Sequence, residues 1–299
     1  MRFAIDYARV RVPATSGNLG PGFDSMGMAH DIWDDVSATI TTGPTKITIL
    51  GEGKDTLARD ESHLVIRAMH RTMERVGVSQ AGIELVARNA IEHGKGLGSS
   101  AAAVVAGILL VRELIDHPEV LDEAAMLDIA AEFEGHPDNA APAIYGGATV
   151  SWKQGESYRT ARLPVSDAVH TTLLIPAEVL PTSQARAALP MQVPLADASF
   201  NAGRTALLAH ALAHAPQFLF EATEDRLHQG YRASAMRHTA DLLAALRNAG
   251  WPAVVSGAGP TILVFAQVDS QTRRVIEGQG FKVVPSKQVR GAHAVTSAQ

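Results

Sequence analysis

The hydrophobic and polar pattern of the first half of the chain predicts strands interleaved with helices. Residues 7–12 alternate between polar and apolar side chains, which is typical of a half-exposed strand, and a polar, glycine-rich loop is expected over 13–27. Apolar positions at helical spacing predict a helix over 63–76, and a nearly continuous apolar run predicts a buried helix over 99–115. Another helix is expected over 122–133, with an aspartate at its N-cap. Further strands are expected at 36–41, 46–50, 83–87 and 148–152.

The second half has the pattern of a smaller α+β unit. Polar residues 153–158 are typical of a connection between domains, so we predict domains at 1–152 and 153–299. Two helices among four short strands predict an α+β sandwich. The predicted helices cover 199–213 and 234–249, and the predicted strands cover 171–175, 253–255, 262–266 and 282–284.

Composition narrows the class of protein. The chain has 299 residues, of which 46% are apolar, and a formal charge of -5. Its Lys and Arg residues form no basic block, which argues against nucleic-acid binding. The longest apolar run, residues 101–111, is too short to cross a bilayer, and the N-terminus lacks a hydrophobic signal core, so we expect a cytoplasmic protein with no membrane partner. Because the chain has no cysteine, a metal ion would need oxygen or histidine ligands, which favours a hard cation such as Mg²⁺.

The segment 94–102, Gly-Lys-Gly-Leu-Gly-Ser-Ser-Ala-Ala, has the composition of a phosphate-binding loop. Its glycines allow the backbone to approach an anion, and the helix that follows offers unpaired N–H groups at its N-terminus. It matches neither the Gly-x-x-x-x-Gly-Lys-[Ser/Thr] motif nor the Gly-x-Gly-x-x-Gly motif. Taken alone, the segment is equally compatible with an ordinary turn capped by serine.

Three further polar segments stand out. The segment 13–24 contains Asn18 and Asp24, which either present an amide and a carboxylate to a polar substrate or bond only their own backbone. The segment 132–142 concentrates carboxylates with a histidine and an asparagine, which is typical either of a bound polar ligand or of a solvated helix end. The segment 255–261 has glycines and hydroxyls after a strand, so we expect it to close over the phosphates from the second domain.

These segments, in this order, resemble the motifs of the GHMP kinase superfamily, and within it those of the homoserine kinases. The resemblance implies the two-domain GHMP kinase fold, with an N-terminal mixed β-sheet domain that has a left-handed βαβ crossover and a C-terminal ferredoxin-like α+β sandwich. It also implies ATP-dependent phosphorylation of the L-homoserine side-chain hydroxyl on the route to threonine, with Mg²⁺ as metal and a homodimer as assembly. The motifs that carry it are Thr15-Ser-Gly-Asn-Leu-Gly-Pro-Gly-Phe-Asp24, Glu134-Gly-His-Pro-Asp-Asn139, Pro181-Thr-Ser-Gln-Ala-Arg186 and Asp225-Arg-Leu-His-Gln-Gly-Tyr-Arg232.

The resemblance implies roles for residues of the substrate site. A zwitterionic substrate needs an acceptor for its ammonium group and a guanidinium fork for its carboxylate. Asn18 and Asp24 would hold the ammonium group, and Arg186 and Arg232 would bind the carboxylate. The other implied substrate contacts are His136, Asn139, Thr182 and Gly259, with Asn139 also implied as the catalytic residue that orients the hydroxyl.

The resemblance also implies the metal and phosphate contacts. Ser100 and Glu134 would hold Mg²⁺ and are counted as catalytic, with Glu132 as the weaker alternative to Glu134. The side chain of Lys95 is expected to be solvated, while its backbone belongs to the phosphate contacts. The implied ATP contacts are Lys95, Gly96, Leu97, Gly98, Ser99, Ser100 and Ala101.

Several alternatives stay open at this point. Asp138 is either a catalytic base or structural, and our hypothesis is that it is structural. Glu92 and Gly230 stand where the family pattern has proline. Glu92 brings a negative charge near the nucleotide, and Lys95 or Arg88 would offset this charge. Gly230 would loosen the segment that carries Arg232. The alternative functions are a GHMP kinase for another small alcohol and a non-catalytic nucleotide or metabolite sensor.

Overall fold

The computed structural model describes residues 1–295, and none of the helices in this range is long and apolar enough to cross a membrane. The strands are β1 (Tyr7–Gly17), β2 (Met26–Thr41), β3 (Lys46–Gly51), β4 (Gly82–Asn89), β5 (Ala148–Gln154), β6 (Ser157–Leu163), β7 (Thr171–Pro176), β8 (Ala253–Val255), β9 (Ile262–Val264), β10 (Phe281–Ser286) and β11 (His293–Ala294). The α-helices are α1 (Leu64–Val76), α2 (Ser99–Leu114), α3 (Glu123–Glu134), α4 (Ala140–Tyr145), α5 (Thr182–Ala187), α6 (Leu195–Ala213), α7 (Leu219–Ala222), α8 (Gln229–Arg232), α9 (Arg237–Asn248) and α10 (Ser270–Gly278). Short 3₁₀ helices lie at Pro118–Val120, Pro216–Phe218 and Ala233–Ala235.

The first sheet is mixed and has the strand order β11, β1, β2, β4, β3, with β5 paired to β2 and β6 paired to β5. β3 and β4 run parallel, and the other pairs are antiparallel. A parallel pair needs a crossover connection, which α1 supplies. The β1–β2 register shifts between Pro13 and Ala14, so a bulge precedes the segment of β1 that reaches the functional site.

The second sheet is antiparallel, with the order β10, β7, β9, β8. Apolar residues of α9 and α10 pack on it, including Leu242, Leu246 and Ile276, together with Phe281 and Val283 of β10. A mixed sheet followed by a smaller antiparallel sheet confirms the predicted two-domain α+β fold.

α2 is the central helix of the core and holds the phosphate-binding segment at its N-terminus. Its apolar residues face neighbours on all sides, and Val104, Ile108 and Val111 are completely buried. A Cβ atom at Gly107 would lie 2.6 Å from the carbonyl oxygen of Val65, so the glycine allows α1 to approach closely. Each fully buried Val, Ile or Leu side chain contributes about 1.5–3 kcal/mol, and this packing gives the segment before α2 a rigid base.

The structure departs from the predicted elements at three places. β1 continues to Gly17 and β2 begins at Met26, so only the middle of the predicted 13–27 loop is irregular. The polar residues after 152 form the tip of the β5–β6 hairpin, so the predicted boundary falls inside β5 and the first sheet continues to Leu163. The elements absent from the sequence prediction are short or mostly exposed: β6, α4, α5, α7, α8, α10 and β11.

Candidate active site

A cleft of about 390 Å³ collects residues from all four polar segments of the sequence and from the α5 and α8 motifs. Polar side chains from distant parts of the chain therefore converge on one concave surface, as expected of a small-molecule site. The predicted residues that line it are Asn18, Asp24, Gly96, Leu97, Gly98, Ser99, Ser100, Glu134, His136, Asn139, Thr182, Arg186 and Arg232.

The segment 94–102, called the phosphate loop below, wraps the N-terminus of α2. Gly96 and Gly98 have φ angles of 75° and 68°, which non-glycine residues rarely adopt. Gly98 precedes α2 and no side chain caps the helix, so its first N–H groups and the positive end of its dipole are available to an anion. This geometry fits a phosphate group.

The second domain holds the phosphate loop from behind. The Lys95 ammonium group donates to the carbonyl oxygens of Pro176 and Glu178, each at 2.7 Å, and to that of Ala177. Lys95 is 7% exposed, and burial lowers the pKa of its ammonium group. The expectation of a solvated side chain is therefore wrong, and the lysine points to the end of β7 and not into the cleft.

The segment 255–261 also contacts the phosphate loop directly. The Ser256 hydroxyl donates to the carbonyl oxygen of Gly96 at 2.6 Å, and the Thr261 N–H donates to that of Lys95 at 3.1 Å. Gly257 and Ala258 line the cleft, whereas Gly259, a predicted substrate contact, does not. The segment predicted to close over the phosphates is thus already bonded to the loop.

Asn18 and Asp24 both have left-handed backbone conformations, with φ angles of 67° and 54°. The Asn18 side chain accepts a hydrogen bond from the Asp24 N–H at 2.9 Å and donates to the carbonyl oxygen of Gly257 at 2.8 Å. Its amide therefore organises the turn and joins it to the second domain. Strained backbone of this kind persists only where the surrounding structure holds it in place. Here the turn places Asp24 in the lining of the cleft.

The two groups expected to bind opposite ends of the substrate bind each other in this structure. Arg186 of α5 contacts Asp24 through both of its terminal nitrogens, at 2.8, 3.0 and 3.2 Å. Burial raises the pKa of Asp24, although the charge of Arg186 opposes this effect. A substrate that carries both an ammonium group and a carboxylate matches the two members of this pair.

Arg232 is the second guanidinium of the cleft and is only 3% exposed. It donates to His228 Nδ1 at 3.0 Å and to the carbonyl oxygens of Gly257 and Ala185, each at 3.3 Å. Although Gly230 leaves open space in α8, these contacts hold Arg232 in place. His228 was not predicted as a site residue, even though it belongs to the motif that contains Arg232.

His136, Asp138 and Asn139 form a hydrogen-bonded group at the cleft floor. Asp138 Oδ1 lies 2.5 Å from His136 Nδ1 and 3.3 Å from Asn139 Nδ2. Burial disfavours the charged imidazole of His136, but the bond and charge of Asp138 outweigh it and raise the pKa of His136. Asn139 also accepts a hydrogen bond from Thr15 at 3.0 Å.

Ser100 and Glu134 fit a Mg²⁺ ion by their chemistry. Burial raises the pKa of Glu134, and a hydrogen bond with Ser100 acts in the opposite direction, so the two oxygen groups lie together. A half-buried carboxylate with a hydroxyl beside it is the kind of oxygen ligand set that Mg²⁺ prefers. Glu132 instead pairs with Arg71 at 2.8 Å and does not line the cleft.

Two more predicted features have definite positions. Ala101 is a buried residue of α2 and does not line the cleft. Glu92 lies 3.5 Å from the ammonium group of Lys282, and its charge also acts on the ammonium group of Lys95, where it opposes the lowering of the pKa by burial. The cleft residues that sequence reasoning did not assign are Gly94, Phe133, Ser183, Gly257 and Ala258, which carry no charge that would mark them.

A second pocket of about 290 Å³ adjoins the cleft and shares Gly94, Ser99 and Ser100 with it. Apolar and small residues form most of its wall, with two histidines, His63 and His93, among them. It was not predicted, because apart from residues of the phosphate loop its wall comes from β2, α1, β4, α2 and the connections before α1 and after β4, which share no motif along the chain.

Comparison of the sequence with protein-family models and with known proteins identifies the relatives of this chain. The family model described as the GHMP kinases N terminal domain matches residues 63–147, and the one described as GHMP kinases C terminal matches residues 204–278. A homoserine kinase of Streptomyces coelicolor is 48% identical over 90% of this chain and 87% of its own length, and one of Streptomyces avermitilis is 46% identical over 93% and 92%.

Solved structures extend the comparison to the fold. The crystal structure of a homoserine kinase from Cytophaga hutchinsonii superposes with a TM-score of 0.85 at 26% identity, covering 97% of this chain and 98% of that one. A mevalonate diphosphate decarboxylase from Staphylococcus aureus, with a TM-score of 0.69 and 13% identity over 98% of both chains, shares the fold alone. The predicted resemblance is confirmed, and the chain belongs to the homoserine kinase family of GHMP kinases.

Proposed function

We propose that this kinase transfers the γ-phosphoryl group of ATP to the side-chain hydroxyl of L-homoserine, with Mg²⁺, to give O-phospho-L-homoserine for threonine biosynthesis. The observation that carries the proposal is the position of the Asp24–Arg186 ion pair, which lines the same cleft as the phosphate loop. The ion pair matches an amino acid, and the loop matches a phosphate donor.

The amino-acid end of the substrate is assigned to three charged groups. Asp24 takes the ammonium group, and Arg186, released from Asp24, takes the carboxylate together with Arg232. Guanidinium groups suit this task because their planar fork matches two carboxylate oxygens. Thr182 lies at the start of the helix that carries Arg186 and lines the same wall.

The phosphate end is assigned to the backbone of the phosphate loop and the start of α2. Unpaired N–H groups and the helix dipole stabilise negative charge there without any side-chain cation. Ser100 and Glu134 are the residues that would hold Mg²⁺, which, when bound, neutralises charge on the transferring phosphoryl group. The adjoining 290 Å³ pocket is assigned to the nucleoside of ATP.

The reacting hydroxyl is assigned to Asn139 and His136. Phosphoryl transfer through a loose transition state depends mainly on position and charge neutralisation, so a strong base is not required. Asp138 is 1% exposed and its Oδ1 atom is occupied by His136 and Asn139. We therefore assign Asp138 to holding its two neighbours, not to accepting the substrate proton.

The decisive experiment is mass detection of O-phospho-L-homoserine after incubation of the purified chain with ATP, Mg²⁺ and L-homoserine. L-threonine, mevalonate and galactose are tested in parallel for ADP release. We expect homoserine to be phosphorylated with the highest kcat/KM and the reaction to stop when Mg²⁺ is chelated. Phosphorylation of mevalonate or galactose instead, or ATP binding without any turnover, would overturn the proposal. The proposed homodimer is measured separately by sedimentation velocity.

A further inference from the structure

We infer that Thr15 is a positioning residue, which fixes the amide of Asn139 relative to the phosphate loop. This inference rests on the proposed function, in which Asn139 orients the substrate hydroxyl. Thr15 lies near the end of β1 and is completely buried, so it touches no substrate itself.

Thr15 contacts both halves of the reaction site at once. Its backbone N–H donates to the carbonyl oxygen of Leu97 in the phosphate loop at 2.9 Å. Its hydroxyl donates to Asn139 Oδ1 at 3.0 Å. One residue of a rigid strand therefore sets the distance between the group that holds the phosphates and the group that holds the acceptor hydroxyl.

The contacts of Asn139 fix which way its amide faces. Its Nδ2 atom lies 3.3 Å from Asp138 Oδ1, and a carboxylate oxygen only accepts hydrogen bonds. The amide oxygen must then face Thr15, whose hydroxyl supplies the donor. The opposite orientation would bring two oxygen atoms together at Asp138. Nδ2 carries a second hydrogen, and this is the donor that we assign to the oxygen of the substrate hydroxyl.

Two glycines let the chain pack closely around this contact. A Cβ atom at Gly98 would lie 2.0 Å from Thr15 Oγ1, and one at Gly17 would lie 2.6 Å from Asn139 Nδ2. Loss of the Thr15 hydroxyl would leave Asn139 Oδ1 without this donor, so that only the 3.3 Å contact of Nδ2 with Asp138 would restrain the amide against rotation.

Such a rotation acts on the chemical step more than on binding. In-line transfer requires the hydroxyl and the phosphoryl group to be aligned closely, and a displacement of about 1 Å costs on the order of 100-fold in rate. The phosphate loop itself keeps the hydrogen bonds that it accepts from Ser256 and Thr261 and those that Lys95 donates to residues 176–178. We therefore expect kcat to fall while ATP binding persists.

The test compares Thr15→Val, which removes the hydroxyl and keeps the shape, with Thr15→Ser, which keeps the hydroxyl. We expect kcat of Thr15→Val to fall by about 10- to 100-fold with KM for ATP changed less than about threefold, and Thr15→Ser to retain most of the activity. We also expect the ratio of phosphohomoserine to ADP to fall in Thr15→Val, because a misaligned hydroxyl competes less well with water.

Thr72→Val is the matched control, since it removes another fully buried threonine hydroxyl, bonded to the Ala68 carbonyl oxygen at 2.7 Å within α1.

A double-mutant cycle distinguishes positioning from general damage. In an Asn139→Ala background, Thr15→Val should cause no further loss of kcat, because the residue through which it acts is absent. Additive losses, equal damage in Thr15→Ser, or wild-type kcat in Thr15→Val would each overturn the inference. If Thr15→Val does not fold, Thr15→Ala removes the same hydroxyl and is judged by the same outcomes. A wild-type chain that phosphorylates no homoserine would overturn the proposed function and this inference together.

Discussion

At the scale of single residues, the Asp24–Arg186 ion pair decides what the substrate must offer. The contact is bidentate and partly shielded from water, so a ligand has to provide compensating charges on both sides to separate it. A compound with a carboxylate but no ammonium group leaves Asp24 without a partner. The pair thus makes recognition of the two charged groups interdependent.

We predict that Asp24→Asn lowers the preference for homoserine over 4-hydroxybutyrate by about 10- to 100-fold, because a charge-assisted hydrogen bond contributes about 1.5–3 kcal/mol. The asparagine cannot balance the ammonium charge, and it no longer competes for Arg186. The measurement is kcat/KM for both compounds, with Asp31→Asn, whose partner is Lys287, as the control. An unchanged preference would mean that Asp24 does not meet the ammonium group.

Asp138 gives a second prediction at this scale. If it holds His136 and Asn139 in place, Asp138→Asn should lower kcat by less than about 100-fold, whereas loss of a general base costs about 10²- to 10⁴-fold. The readout is single-turnover phosphorylation of homoserine with ATP in excess. A loss of several orders of magnitude with unchanged substrate KM would assign the proton transfer to Asp138.

At the scale of elements, the phosphate loop belongs as much to the second domain as to α2. Lys95 is a buried ammonium group whose partners are three carbonyl oxygens from consecutive residues at the end of β7. These hydrogen bonds hold the phosphate loop in a fixed position relative to the second sheet.

We predict that Lys95→Met raises KM for ATP by about tenfold and leaves KM for homoserine within about threefold. The methionine fills similar volume but leaves the three carbonyl oxygens without a donor, which also lowers the free energy of unfolding by about 1–3 kcal/mol. Steady-state kinetics and urea unfolding give the two quantities. Lys46→Met, at an exposed lysine paired with Glu84, should change neither, and equal effects in both variants would contradict the prediction.

The elements also explain what the sequence could and could not predict. The long helix α2 is a nearly continuous apolar run, and strands β1 to β5 carry recognisable apolar patterns. The phosphate loop and the motifs with Arg186 and Arg232 are continuous along the chain. These features were therefore predictable. The contact of Lys95 with residues 176–178 and that of Glu92 with Lys282 join positions more than 80 apart, and nothing in the local sequence marks either partner.

The 290 Å³ pocket that we assign to the nucleoside illustrates the same limit. Its walls come from four separate elements and the connections between them. The assignment depends on the way in which α1 and α2 pack, which the glycine at 107 allows. The hairpin of β5 and β6 was missed for a related reason. Its outer strand is polar and mostly exposed, so its membership of the first sheet follows from pairing with β5 rather than from its own pattern.

At the scale of the whole molecule, one buried hydrogen-bond chain joins the two sheets. His30 of β2 bonds to the Ser16 hydroxyl at 2.7 Å through Nε2 and to the Ser286 hydroxyl of β10 at 3.1 Å through Nδ1. Ser16 continues to Ser256 at 2.6 Å, and Ser256 reaches the phosphate loop at Gly96. The imidazole at the start of this chain is completely buried, and burial lowers its pKa to about 4.

This pKa predicts a pH-dependent free energy of unfolding. Above pH 6.5 His30 is neutral in both the folded and unfolded states, so the full stability is present. As the pH falls from 6.5 towards 4, the unfolded chain binds a proton that the folded chain does not, and the free energy of unfolding decreases. For this residue the decrease amounts to about 3 kcal/mol by pH 4.

In His30→Gln, which keeps a donor and an acceptor for the two serines, that part of the decrease should be absent. Urea unfolding at pH 7.5 and pH 5.0 measures the difference, with the exposed His170→Gln variant as control. If His30→Gln lost as much stability as the wild type between these pH values, His30 would have to be protonated in the folded state, and the buried chain between the sheets would then have to accommodate its charge.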